Sequence, residues 1–304
     1  MSEEYIAYFN GEWVPQSQCT LAMDDRGFRV GDAVFEVERT FNGNIFGLDG
    51  HLDRLYRSLK FTRMDPGLTQ EEMADISREA IKRNWHRVPE GGDLNLRQVV
   101  TRGRGFSVTD KVPPTVYIAA YGLNFNRFAH VFDEGCHVVF ARTRSYHPDS
   151  LDPKVKHTSR MNFVLAELEA SDVDPKAWPV LLDLDGNISE GTGFNFWIVT
   201  DGVLRTSGDR AILQGISRDT ILDLAKELDI PVVQEDLQLY DAYTADEAFV
   251  SGTSSCLLPV NKLDNRPLDG DVPGPLVKRL LAAWSEKVGV DIVGQARSQA
   301  GMDT

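Results

Sequence analysis

Short runs of hydrophobic and β-prone residues alternate with Asn-Gly and Asp-Gly pairs along this chain. Such pairs supply the positive-φ residues that two-residue β-hairpin turns require. Four of these pairs are flanked by apolar or β-prone residues, two in each half: Asn10-Gly11, Asn42-Gly43, Asp185-Gly186 and Asp201-Gly202. The strand-like runs cover residues 96–101, 115–121, 137–142, 179–183, 194–200 and 247–251. Because tight turns join antiparallel neighbours, this pattern predicts largely antiparallel sheets.

Helical periodicity interrupts the strands without alternating regularly with them. Thr69 followed by Glu72 forms a capping box that opens a helix, and Pro275 opens the last one. Apolar residues also recur at helical spacing over 161–168 and 221–228. The irregular order of helices and strands predicts an α+β fold rather than a doubly wound parallel sheet.

The stretch after Tyr121 has no clean period and separates two strand-rich halves. We therefore predict a smaller N-terminal α+β domain at 1–121, a linker at 122–134, and a larger C-terminal α+β domain at 135–304 that binds the cofactor inferred below. The tail from Gly294 is expected to be polar and loose.

The composition narrows the range of partners and compartments. The chain of 304 residues has 32 Lys and Arg against 46 Asp and Glu, a formal charge of −14. This charge argues against nucleic acid or an anionic membrane as a partner. The three cysteines form no CxxC pair, and the acidic first residues lack a secretory pattern, so the expected compartment is the cytoplasm.

Several classes of catalytic motif are absent from the sequence. It contains no HExxH, no GxSxG, no Walker loop and no EF-hand loop. These absences weaken hydrolase and nucleotide-triphosphatase hypotheses, and we expect no metal site.

Two lysines and one carboxylate are candidates for chemistry in the second half. Lys154 and Lys156 lie in a loop just before a predicted helix, where a lysine in a partly apolar site can form a Schiff base. Most lysines in such loops, however, are solvated surface residues with no catalytic role. Glu190 follows a hairpin arm in a stretch of small and apolar residues; taken alone, it reads as a turn carboxylate.

Two further segments have the character of anion sites. Gly215, Ile216 and Ser217 lie at the N-terminus of the 221–228 helix, where backbone N–H groups and the helix dipole favour an anion. Thr253 and Ser254 follow a predicted strand and offer hydroxyl groups. A plain N-cap and a Ser-rich turn would explain them equally well. Together with a Schiff-base lysine and a carboxylate, however, they are the parts of a pyridoxal phosphate site.

Seven blocks along the chain together resemble the class IV aminotransferases, which are fold-type IV pyridoxal-phosphate enzymes. The blocks are 9–15, 25–36, 51–55, the Lys156 segment, 190–195, 213–218 and 251–253. The resemblance implies two α+β domains with the cofactor between them. It also implies a homodimer in which a loop of the partner closes the substrate pocket.

The same resemblance assigns roles to the candidates. Lys156, rather than Lys154, would hold pyridoxal phosphate as a Schiff base and move the proton. Glu190 would pair with the pyridine nitrogen. The phosphate would be held by Arg54 and by the second-half anion segments, so that the predicted cofactor site comprises Arg54, Lys156, Glu190, Gly215, Ile216, Ser217, Thr253 and Ser254.

The donor is less clear from the blocks. Branched-chain enzymes typically carry a tyrosine where this chain has Asn95, two residues before Arg97, and another where it has Met161. D-amino acid and (R)-amine transaminases resemble other blocks, although the latter tend to have an acidic residue in place of Arg97. The predicted substrate contacts are Val30, Arg39, Asn95 and Arg97.

We therefore predict a transaminase that moves an amino group from an amino acid or (R)-amine to a 2-oxo acid. A 4-amino-4-deoxychorismate lyase would use the same cofactor for an elimination. A third hypothesis is a noncatalytic relative that kept only the fold. Retention of Arg54, Lys156 and Glu190 together argues against that last reading.

Overall fold

A computed structural model describes residues 4–302 and divides them into two compact units. Unit 1 runs to Leu123 and also contains Val155–Ser159. Unit 2 contains Asn124–Lys154 and the chain from Arg160 onward. The short segment that carries Lys156 therefore packs with the N-terminal part of the chain.

Unit 1 is a six-stranded sheet with helices. Its strands, in the spatial order β2-β1-β6-β5-β3-β4, are all paired antiparallel. They are β1 Ile6–Phe9, β2 Glu12–Pro15, β3 Ala33–Phe41, β4 Asn44–Ile45, β5 Leu94–Thr101 and β6 Thr115–Gly122. The helices are α1 Arg26–Val30, α2 Leu48–Thr62 and α3 Gln70–Asn84.

The core of unit 1 follows from the two periodicities of its sequence. Alternate residues of β3, β5 and β6 share a face of the sheet, and residues of α2 and α3 at helical spacing pack against that face. Leu52, Leu55 and Leu59 of α2 and Met73 of α3 join Val34 of β3 in one buried cluster. The predicted capping box of Thr69 and Glu72 begins α3.

The segment Val155–Ser159 lies beside β3 and pairs with it through one isolated antiparallel bridge between Val34 and His157. The Phe35 N–H donates to the carbonyl of Lys156 at 2.9 Å, and the Thr158 N–H donates to the carbonyl of Ala33 at 3.0 Å. Val155 is buried in the core cluster. These bonds fix the backbone of Lys156 beside β3.

Unit 2 contains the remaining elements. The strands are β7 Cys136–Arg144, β8 Trp178–Leu182, β9 Ile188–Gly191, β10 Asn195–Thr200, β11 Val203–Ser207, β12 Val232–Glu235, β13 Glu247–Gly252, β14 Cys256–Leu263 and β15 Arg266–Pro267. The helices are α4 Val131–Glu134, α5 Met161–Val173, α6 Ile216–Glu227, α7 Leu239–Tyr243, α8 Pro275–Val288 and α9 Ile292–Gln299.

The sheet of unit 2 closes on itself. Strands β10, β13, β14, β7, β8 and β9 are neighbours in that order, and β9 pairs with β10 again at Glu190 and Asn195. Most pairs are antiparallel, although β14–β7, β7–β8 and β11–β12 are parallel. The α+β class with largely antiparallel sheets is thus confirmed.

Three of the four predicted two-residue turns are confirmed. Both central residues have positive φ at Asn10-Gly11, Asn42-Gly43 and Asp201-Gly202. The prediction for Asp185-Gly186 is wrong, because β8 and β9 are joined by a longer loop over 183–187. There the Asp183 carboxylate accepts the N–H groups of Asp185 and Asn187, which builds a loop around a side chain instead of a tight turn.

Helices form at the predicted places, with two differences. The apolar stripe of α5 is exposed: Met161, Val164, Leu165 and Leu168 have 67%, 46%, 47% and 58% of their surface accessible. The expectation of a loose tail is wrong, since α9 begins at Ile292, and the Asp291 side chain caps it by accepting the Gly294 N–H. Residues 303 and 304 lie outside the described part. Within the described part, no helix has the length and apolar character needed to cross a membrane.

Candidate functional site

Unit 1 contains a buried ion pair between Glu36 of β3 and Arg54 of α2. The Arg54 Nε donates to Glu36 Oε1 at 2.6 Å, and its Nη2 donates to Oε2 at 2.7 Å. His51 Nδ1 lies 2.8 Å from Oε2. Burial alone would raise the pKa of Glu36, but the charge and hydrogen bonds of Arg54 and the bond from His51 hold it well below its ordinary value. Glu36 is therefore a carboxylate, and burial lowers the pKa of His51, which keeps that ring neutral.

A second carboxyl group, Glu38, lies two residues farther along β3 and is completely buried. Within the described part of the chain, neither of its oxygens has a hydrogen-bond partner. Burial, reinforced by the nearby charge of Glu36, raises the pKa of Glu38 well above its ordinary value. Glu38 is consequently a neutral carboxylic acid at pH 7.

Lys156 and Arg97 both lie against the ring of Phe35. The Lys156 Nζ is 4.8 Å from the ring centroid, and the Arg97 Cζ is 5.1 Å from it. The Arg97 Nε is buried and has no hydrogen-bond acceptor among the described residues. By contrast, the Lys154 side chain is 40% exposed and forms an ion pair with Asp152 at 3.1 Å. Lys156 is the lysine in a partly apolar setting.

The other predicted substrate contacts in unit 1 differ in their surroundings. Arg39 is almost fully buried; its Nε donates to the Thr40 carbonyl, and its guanidinium stacks on Phe41. Asn95 is buried as well, whereas Val30 is 58% exposed at the end of α1. Of the two arginines predicted to contact substrate, Arg39 therefore makes its contacts with buried groups of the protein itself.

Glu190 in unit 2 is held by Leu213, in the loop before α6, and by Asn195 on β10. Its Oε2 accepts the Leu213 N–H at 3.0 Å and lies 3.5 Å from the Asn195 Nδ2. The Asn195 Nδ2 also donates to the Leu213 carbonyl at 3.0 Å. Arg160 lies nearby, where its Nη2 donates to the Thr192 carbonyl. The Glu190 carboxylate is thereby fixed in direction at the end of β9.

The predicted anion segments of unit 2 have the expected backbone. Helix α6 begins at Ile216 with Ser217 in its first turn, as predicted, and its N-cap is Gly215, which has no side chain to cap the helix. A Cβ on Gly215 would lie 2.3 Å from the Asn195 Oδ1, so only glycine fits there. Thr253 and Ser254 are half-buried in the turn between β13 and β14.

The structure thus places Arg54, Lys156, Asn95 and Arg97 in unit 1. Glu190, the start of α6 and the Thr253 turn belong to unit 2. Glu38 and His51 were not predicted as functional residues from the sequence. Glu36 and Glu38 stand at alternate positions of a strand among apolar neighbours, and that spacing places both on one face. This pattern could have indicated from the sequence that Glu38 lies close to Glu36. No group of three or more metal-ligating side chains occurs in the described residues.

A comparison with protein families finds that residues 33–263 match the model for Amino-transferase class IV. A protein of Methanocaldococcus jannaschii, provisionally named a branched-chain-amino-acid aminotransferase, is 38% identical over 90% of this chain and 93% of its own length. The D-alanine aminotransferase of Bacillus licheniformis is 27% identical over 92% of this chain and 96% of its own length.

Solved structures are similar over nearly the whole chain. The branched-chain amino acid aminotransferase of Escherichia coli has a TM-score of 0.87 at 28% identity, covering 93% of this chain and 94% of that one. A second branched-chain amino acid aminotransferase, solved with pyridoxamine 5′-phosphate, has a TM-score of 0.86 at 26% identity, covering 100% of this chain and 99% of that one. The branched-chain aminotransferase of Thermoproteus uzoniensis, solved with norvaline, has a TM-score of 0.84 at 26% identity, covering 98% of each chain.

Glu38→Gln is expected to stabilise the protein at neutral and alkaline pH. An unfolded Glu38 is ionised above its ordinary pKa of 4.5, so folding the native chain at pH 7 requires proton uptake. The stability that protonated Glu38 provides is complete below pH 4.5 and is lost as the pH rises toward its folded pKa. The variant should therefore gain stability over the native protein by up to about 1.4 kcal/mol per pH unit in that interval.

Thermal unfolding at pH 5 and pH 8 measures this difference. Glu12→Gln, which changes an exposed carboxyl group of the same unit, is the matched control and should show no such trend. An equal Tm difference for Glu38→Gln at both pH values would contradict a neutral Glu38.

Proposed function

We propose, because this chain belongs to the class IV aminotransferase family, that it takes the amino group of an amino acid and selects the carboxylate of that donor with Arg97. The family relation makes the protein a pyridoxal-phosphate-dependent aminotransferase with an amino donor and a 2-oxo acid as substrates. Selection of an amino acid over an (R)-amine as donor goes beyond what the family relation gives.

The residues present fit pyridoxal phosphate. Lys156, in its partly apolar setting against Phe35, would bind the aldehyde covalently, and the fixed carboxylate of Glu190 would accept the ring N–H. Arg54 and the N-terminus of α6, which begins after the glycine N-cap, would hold the phosphate, with Thr253 and Ser254 as further donors. When bound, the cofactor supplies an electron-withdrawing ring to the carbon that carries the amino group.

The protein's own groups then have defined tasks. Lys156 would carry the proton that leaves the donor's α-carbon, and the Phe35 ring would limit water beside its amine. Glu190 would hold a proton on the ring nitrogen, since Leu213 and Asn195 fix its direction. Arg54 would anchor the phosphate from a helix that Glu36 fastens to the sheet.

The surroundings of Arg97 support the proposal that the donor has a carboxylate. Its guanidinium shares the Phe35 ring with Lys156, and its Nε lacks a protein acceptor within the described residues. A half-buried guanidinium whose Nε is still available favours a planar anion that can accept two hydrogen bonds. Arg39 is already engaged by Thr40 and Phe41, which leaves Arg97 as the better candidate.

The lyase alternative requires the same cofactor residues and differs in its acceptor. An elimination needs no 2-oxo acid, so return of the amino group to pyruvate or 2-oxoglutarate separates the two reactions. The named relatives are aminotransferases, which favours transfer.

We further propose a cytoplasmic homodimer. The exposed apolar stripe of α5, formed by Met161, Val164, Leu165 and Leu168, is the kind of surface that a second copy covers. Cys19, Cys136 and Cys256 form no disulfide within the described residues, which fits a reducing compartment.

The visible spectrum of the purified protein tests the cofactor assignment. Lys156→Ala should abolish the visible absorption of the bound cofactor and lower turnover by about 10²–10⁴-fold or more, because the covalent link and the proton carrier are lost. Lys154→Ala is the matched control and should keep both properties. A coloured and active Lys156→Ala protein would contradict the assignment.

Arg97→Gln should raise KM for D-alanine or L-leucine by about 10–100-fold, since a charge-assisted hydrogen bond is worth about 1.5–3 kcal/mol. Turnover of (R)-1-phenylethylamine, which lacks a carboxylate, should change little. Steady-state assays with pyruvate as acceptor measure both donors, and Arg104→Gln, an exposed arginine paired with Asp24, is the control. An equal loss with the acid and the amine would remove Arg97 from carboxylate recognition.

Leu168→Glu should weaken the homodimer, because the charge would be buried twice in a symmetric interface. We expect the dimer Kd to rise by about 100-fold or more, with Asp172→Asn on the same helix as a neutral control. Analytical ultracentrifugation over a concentration series gives the result. A native protein that is monomeric at micromolar concentration would refute the dimer.

A further inference from the structure

We propose that Glu38 is a positioning residue for Arg54: its neutral carboxyl group leaves the Arg54 charge available to a phosphate, and its ionisation lowers the affinity of that site for anions. The inference rests on the proposed role of Arg54 as phosphate anchor. It concerns a side chain that would touch neither cofactor nor substrate and would act only through the buried ion pair.

Glu38 is on the same face of β3 as Glu36. Residues two apart along a strand share a face and are separated by about 6.5–7 Å. Glu36 binds the guanidinium of Arg54 through both of its oxygens. A charge on Glu38 would therefore be close to the ion pair and shielded from water, because both carboxyl groups are fully buried.

The hydrogen-bonding groups around Glu38 match a neutral acid. Both of its oxygens are without a partner in the described residues, and so is the buried Oε1 of Gln98. Gln98 lies on β5 directly opposite Glu36, and its Nε2 donates to the Ser77 hydroxyl on α3. An ionised Glu38 can only accept, whereas a protonated one can donate to the vacant Gln98 oxygen. A proton on Glu38 would supply a donor among these buried acceptor oxygens, and burial outweighs the effect of the Gln98 side chain, which lowers the pKa of Glu38.

The charges that face Glu38 come from three elements. Glu36 on β3, Arg54 on α2 and Lys156 on the Val155–Ser159 segment are near enough to act on the charge of Glu38. His51 on α2 is neutral, and β5 and α3 contribute the uncharged Gln98 and Ser77. Glu36 already offsets one of the two cations. A second carboxylate here would further lower the positive potential that a phosphate meets at Arg54.

Linkage gives the sign and size of the effect. A bound phosphate disfavours a negative Glu38, so binding and protonation support each other. Anion affinity should be constant while Glu38 is neutral. It should then fall as the pH rises past the point where Glu38 ionises, approaching about tenfold per pH unit.

The experiment uses 4-deoxypyridoxine 5′-phosphate, which has no aldehyde to react with Lys156, and inorganic phosphate as a second probe. Calorimetric titration of the cofactor-free protein from pH 7.5 to 9.5 should show affinity for both probes falling with pH. Glu38→Gln should bind as the native protein does at pH 7.5 and lose most of this fall. Glu38→Met, of similar volume, is the second variant if the first does not fold.

Parallel pH profiles in the native protein and in the Glu38 variants would overturn the inference, as would a native affinity that is constant to pH 9.5. Arg54→Gln tests the premise separately. If that variant binds both probes as tightly as the native protein does, Arg54 is not the phosphate anchor and the proposed function loses that element. A strong Arg54 effect without a Glu38 effect would reject only the inference.

Discussion

The buried pair of Glu36 and Arg54 is the interaction on which the rest of unit 1 depends. Two opposite charges taken out of water are costly unless geometry and hydrogen bonding are good, and here a forked arginine meets both carboxylate oxygens while His51 adds a third bond. The pair connects β3 to α2 inside an otherwise apolar cluster. Removing one partner would leave an uncompensated buried charge, so the pair specifies how that helix lies on the sheet.

Lys156 depends on the same strand. Its segment is remote from β3 in sequence, yet Phe35 and Ala33 bind the backbone of Lys156 and Thr158. The side chain is held against Phe35, where Arg97 from β5 also lies. One edge and both faces of a single strand thus organise the lysine, the proposed phosphate anchor and the proposed carboxylate receptor, because Phe35 and Glu36 are successive residues on opposite faces of β3. Short local segments can in this way build a site from distant parts of the chain.

In unit 2, hydrogen bonds and close packing around Asn195 fix the positions of Glu190 and of the start of α6. Glu190 is directed by the Leu213 N–H and by Asn195, and Gly215 must lack a side chain because Asn195 occupies the space where a Cβ would lie. The helix that begins at Ile216 is therefore positioned by the same asparagine that orients the carboxylate. Orientation of the proposed acid partner and placement of the anion segment are properties of one hydrogen-bonded cluster.

The sequence by itself determined the features that local chemistry controls. Asn10-Gly11, Asn42-Gly43 and Asp201-Gly202 require positive φ, the Thr69 box begins a helix, and the spaced motifs around Lys156 and Glu190 indicate the family. Only the tertiary structure decided which side chains are enclosed. The stripe of α5 has the periodicity of a core helix and is exposed, and Asp183 replaces a tight turn with a longer loop. Glu38, which was given no role from the sequence, is buried. Burial depends on neighbours distant in sequence, and a local pattern contains no information about them.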